Sequence, residues 1–133
     1  MKTLAAVLAS VVLLAVAVPA SAGAAAFKHY VACGVSQNAK PSHICSKKRK
    51  KGAFFRSNKG QPCRDPEGKS VLCVYYKVCI HFPNGKNLCA NHQQAIKGTL
   101  YVNKITSNIP GKHRVTWFVQ GKRVGLFIFK VNG

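Results

Sequence analysis

Between residues 71 and 82 the chain reads VLCVYYKVCIHF. Val74, Tyr76, Val78, Ile80 and Phe82 fall on one side of this run, and Cys73, Tyr75, Lys77, Cys79 and His81 on the other. Such a two-residue period predicts a strand with one buried face, because successive side chains leave a pleated backbone in opposite directions. GTLYVNKI at 98–105 predicts a second strand. The run 112–131, KHRVTWFVQGKRVGLFIFKV, predicts a hairpin about Gln120, Gly121 and Lys122, with Val115, Trp117 and Val119 sharing a face of its first arm. On the second arm Leu126 and Ile128 oppose Phe127 and Phe129, so both faces are apolar and an interior strand is expected. KHYVACGV at 28–35 and GAFFRS at 52–57 are shorter strands, and ANHQQAIKG at 90–98 alone has room for a helical turn. Many short strands without an amphipathic helix predict an all-β antiparallel sandwich.

The first 22 residues have a different character. Lys2 precedes an apolar stretch over residues 4–18, Pro19 ends it, and Ala20-Ser21-Ala22 forms a small-residue cleavage site. This is the pattern of a secretory signal peptide, and the apolar run is shorter than the roughly 20 residues of a spanning helix. Removal of residues 1–22 from 133 leaves 111, the size of one domain over 23–133. The expected location is extracellular.

An exported chain meets an oxidising compartment, and this one has six cysteines: Cys33, Cys45, Cys63, Cys73, Cys79 and Cys89. Three disulfides are expected. A three-residue turn at Pro83-Asn84-Gly85 places Cys79 directly opposite Cys89. The same turn at Pro66-Glu67-Gly68 would set Cys63 opposite Val71, so pairing Cys63 with Cys73 is expected to need a longer or irregular turn. Cys33 and Cys45 pair by elimination. Each link closes a loop of about 11 to 13 residues, worth about 2.5 to 3 kcal/mol on the chain-entropy account. The spacings lack the C-x-x-C and H-x-x-x-H patterns of zinc sites, so no metal or cofactor is expected.

The last third, with Gly111, His113, Val115, Trp117, Val119, Gly121, Val124, Gly125, Phe129 and Val131, resembles the terminal hairpin of small immunoglobulin-like modules in bacterial extracellular proteins. The wider arrangement of ACG, SHIC, GAFF and YKVCI is similar to small exported actinobacterial proteins of unknown function. The resemblance implies an immunoglobulin-like sandwich and brings no catalytic residues. No tryptophan lies between cysteines at the inter-sheet spacing of antibody domains, so the sandwich rests on periodicity.

Charge changes the functional picture most. The chain has 21 cations and two acids. Loss of Lys2 with the leader leaves 20 against 2, or +18. SKKRKKG at 46–52 sets Lys47, Lys48, Arg49, Lys50 and Lys51 in succession. Mutual repulsion predicts an extended, solvated loop that contacts anions, with Arg56, Lys59 and Arg64 in support. The expected partners outside a cell are cell-wall polymer, acidic polysaccharide, nucleic acid or an anionic membrane surface, engaged by a monomer.

Catalysis has little to work with. Asp65 and Glu67 are two apart in one predicted turn, where they neutralise Arg64 and Lys69 rather than flank a substrate. A G-x-S-x-G elbow is missing, and oxidised cysteines leave no thiolate. A histidine-based ribonuclease is the remaining enzyme reading, with His29, His43, His81, His92 and His113 available in no recognisable arrangement. A membrane-active antimicrobial protein is the other alternative. Its apolar segments are expected to be committed to the core, which disfavours it.

Overall fold

The computed structural model describes residues 26–133. The expected leader, 1–22, lies outside the described residues. The described residues form a two-sheet β-sandwich of nine strands. They are β1 (Phe27–Ala32), β2 (Ile44–Ser46), β3 (Lys51–Ser57), β4 (Gln61–Arg64), β5 (Ser70–His81), β6 (Asn87–Ile96), β7 (Tyr101–Ile105), β8 (Gly111–Val119) and β9 (Lys122–Asn132). One sheet runs β1-β3-β7 and the other β2-β9-β8-β5-β4, with β6 on the second side of β5. All pairings are antiparallel except β2 with β9, a short parallel pair.

Strand β5 organises the larger sheet. Its length lets two strands share one edge: β8 pairs Tyr76–His81 and β4 pairs Ser70–Cys73. The expected two-faced pattern holds, with Tyr76, Val78 and Ile80 buried and Tyr75 exposed. Val31, Phe55, Trp117, Phe129 and Val131 join them between the sheets. The adjacent phenylalanines are both enclosed but face opposite ways. Phe55 stacks on Tyr76 in the main core, and Phe54 stacks on Tyr30 in a smaller cluster beneath the segment that follows β1. At Gly125, even a Cβ would lie 2.6 Å from the His29 ring, so only glycine lets His29 settle against Trp117.

Turn chemistry sets the registers. Phe82 N–H donates to Lys86 O, and Gly85 takes φ +88°, so Cys79 and Cys89 sit opposite as expected and are bonded. The β4–β5 turn differs from expectation. It is the same three-residue turn, with Gly68 at φ +86°, and Cys63 does face Val71. The disulfide reaches diagonally along that face to Cys73, with Cα atoms 6.1 Å apart, so no irregular turn is needed. Cys33 bonds Cys45 and links the end of β1 to β2, hence one sheet to the other. Three disulfides in so small an all-β body suit an oxidising compartment.

Two expectations give way. Residues 90–98 are not helical: most belong to β6, where the ladder slips between Tyr76 and Val78 and His92 takes φ +50°. The bulge absorbs one extra residue, and pairing with β5 outweighs local helical propensity. Strand β9 is flanked by β8 and β2, but its second face is uncovered, leaving Leu126 and Ile128 exposed.

Burial makes two histidines costly to protonate. Burial lowers His29, whose Nδ1 lacks a hydrogen-bond partner. Burial, then the Lys51 charge, lowers His113 against the opposing pull of the Gly111 carbonyl. Both sit below the ordinary 6.5, so the unfolded chain takes up protons first. Their contribution is complete above 6.5 and is lost as pH falls through the lower folded-state values. The urea midpoint is therefore expected to drop between about pH 7.5 and pH 5. His113→Gln should flatten that drop; a midpoint unchanged over this range in the parent protein contradicts the assignment.

Candidate functional site

The cationic run connects β2 to β3 and is folded into a compact turn. Arg49 N–H donates to Ser46 O at 3.2 Å, closing a turn over Ser46–Arg49. The Arg49 guanidinium donates to Cys33 O at 3.0 Å, beside the Cys33–Cys45 link. Lys51 is only 1% exposed. Its Nζ donates to Ser107 O at 2.8 Å and to Lys47 O at 3.3 Å. Burial lowers its pKa. Two expectations are thereby corrected. The run is not an extended loop, because backbone carbonyls absorb the charge at its two anchor points. Lys51 does not face an external anion; Lys47, Lys48, Arg49 and Lys50 are the exposed set.

Beside the turn lies a shallow concavity of about 480 Å³. Ser36, Ser42 and Ser46 line it with Lys40 and Arg49. Ser42 is already engaged: its hydroxyl donates to Ile44 O at 2.8 Å. Hydroxyls and two cations form a surface complementary to phosphate, sulfate or carboxylate groups. Lys40 belongs to the cationic stretch of the sequence, but only folding brings it beside Arg49.

The other cations expected at this site lie elsewhere. Arg56 and Lys59 are at the far end of β3, about 20 Å along the strand. Arg56 faces Lys28 across the β1–β3 ladder, and Lys59 Nζ is 5.3 Å from the Phe27 ring centre. Arg64 belongs to the other sheet and donates to Gly68 O at 2.9 Å. Asp65 accepts from the Lys69 backbone N–H at 2.8 Å, so hydrogen bonding in this tip runs to backbone groups. Thus Arg56, Lys59 and Arg64 do not extend the turn.

The five histidines have separate partners. His43 stacks on Phe127 and its Nδ1–H donates to Ile128 O. His92 stacks on Tyr75, and His81 bonds Asn87. His113 forms an arrangement that sequence spacing did not reveal. Its Nδ1 faces Gly111 O at 3.0 Å and so carries the proton, leaving Nε2 to accept from the Ser107 hydroxyl at 2.7 Å. This resembles the nucleophile and base of acyl transfer. His113 is fully enclosed, however, between Phe82 and Phe129, and Ser107 is 7% exposed. Burial of both side chains withdraws the pair from solvent. Together with Lys51 it forms a buried polar knot that anchors the cationic turn.

No protein-family model matches the chain, and no curated protein matches it. Among solved structures it is similar to an immunoglobulin-like protein of Pseudomonas aeruginosa, at 14% identity and TM-score 0.51, over 80% of this chain and 91% of that one. A looser match is the alkylpurine DNA glycosylase AlkC of Pseudomonas fluorescens bound to DNA containing an abasic site analog, at 12% identity and TM-score 0.39, over 79% of this chain and 30% of that one. The first likeness supports the immunoglobulin-like fold.

Two lysines of the run should respond oppositely to replacement. Lys51→Ala removes the donor from two carbonyls and is expected to cost about 2 to 4 kcal/mol in denaturant titration. Lys48→Ala, at an exposed position, should stay within about 0.5 kcal/mol. Equal effects would contradict the anchoring role.

Proposed function

We propose that the protein is a secreted, non-catalytic module that attaches to extracellular polyanions through the β2–β3 turn. One observation carries this reading: four adjacent exposed cations stand on a preformed turn, beside a serine-lined concavity that adds Lys40. Preorganisation matters because the ordering entropy is paid during folding and not on binding. Asp65 and Glu67, the only acidic side chains in the chain, lie in the tip before β5, which runs about 36 Å away from them toward the end of the sandwich nearer the turn. The partner class is an anionic polymer in the surroundings of an exporting bacterial cell. Recognition by charge makes affinity fall steeply with salt.

The joint variant Lys47→Ser, Lys48→Ser, Lys50→Ser spares Arg49 and Lys51, which hold the turn. It should elute from immobilised polyphosphate at clearly lower salt, and the slope of log affinity against log salt should fall by about 2 to 3. Its melting temperature should match the parent. Arg56→Ser with Lys59→Ser, at the other end of β3, serves as the control and should elute nearer to the parent. Unchanged retention in the turn variant refutes the proposal.

A further inference from the structure

The uncovered face of the larger sheet carries a second surface. Register places Ile44 beside Lys130, Ile128 beside Arg114, and Leu126 beside Thr116. Ile128 and Lys130 follow Leu126 on the same side of β9, and Ile44 stands level with Lys130 across the β2–β9 pair, so Leu126, Ile128 and Ile44 share one face with Lys130 among them. Their exposures are 39%, 41% and 58%. Lys112 lies opposite Lys130, and Arg123 opposite Phe118, on the same face. Lys77 adds its Nζ over the Phe118 ring at 4.7 Å. This face carries no acidic side chain, since both acids are in the β4–β5 tip.

We propose that this face docks on the surface of an anionic phospholipid bilayer. Aliphatic side chains ringed by long cations suit that boundary. The apolar groups enter the acyl–headgroup border while lysine and arginine stems carry their charges out to lipid phosphates. A hydrated polyanion satisfies the cations but leaves the aliphatic side chains in water. A second copy of the chain would bury them only by bringing two cationic rings together. The inference goes beyond polyanion attachment through the turn. Ile44 also borders the concavity beside the turn, but Leu126 and Ile128 do not, so substitutions at those two let either reading fail alone.

The test is sedimentation with phosphatidylglycerol and phosphatidylcholine vesicles, using Leu126→Thr and Ile128→Thr in combination; threonine keeps strand propensity. The parent should sediment with phosphatidylglycerol and much less with phosphatidylcholine. The double variant should partition at least about tenfold more weakly, with unchanged retention on polyphosphate. If it proves unstable, Leu126→Thr alone should weaken partitioning by about threefold. Parent-like partitioning of the variants overturns the proposal. So does a dimer in lipid-free sedimentation that the substitutions dissolve, since the face would then serve self-association.

Discussion

A single buried ammonium group holds the candidate site in shape. Lys51 begins β3 inside the protein, and its Nζ bonds one carbonyl of the preceding turn and one of the segment before β8. A charge withdrawn from water needs such partners, and these two also connect the cationic run to the Ser107–His113 pair. The consequence is structural. One of five adjacent cations is sacrificed to fix the backbone from which the others project.

The remaining charge must be tolerated by the fold as a whole. With few acids available, the sandwich cannot offset its cations by ion pairing. Covalent links and packing meet the repulsion instead. Cys33–Cys45 fastens the two sheets next to the cationic turn, while Cys63–Cys73 and Cys79–Cys89 fasten β5 to its neighbours. Aromatic stacking of Phe55 on Tyr76 adds to the joint between the sheets. Several cations also rest on rings, as Lys59 does on Phe27 and Lys77 on Phe118, which buries part of their stems without burying the charge.

Much of the fold was legible because it depends on period and local turns. The alternation of residues 71–82 identified the inner face of β5, and Gly85 identified a register that put Cys79 against Cys89. What escaped depends on distant partners. Residues 90–98 read as helix-capable because propensity is local, whereas β5 decides that they pair as β6. The apolar second face of β9 read as interior, because a pattern of side chains does not tell whether another layer covers them. At the site, exposure of Lys47, Lys48, Arg49 and Lys50 followed from charge alone. Burial of Lys51 did not, since Ser107 lies far along the chain and only the meeting of β3 with the approach to β8 supplies its acceptor. The same non-local reason separates Arg56, Lys59 and Arg64 from the turn.

The cationic run is held as a preformed turn by its backbone and side-chain bonds, in contrast to the floppy charged tether that its composition implies. Backbone ¹⁵N relaxation on the free protein addresses this directly. Order parameters at Lys47, Lys48 and Arg49 should approach the value of about 0.85 typical of rigid backbone. Values below about 0.6 at these positions, with β2 and β3 rigid on either side, would contradict it.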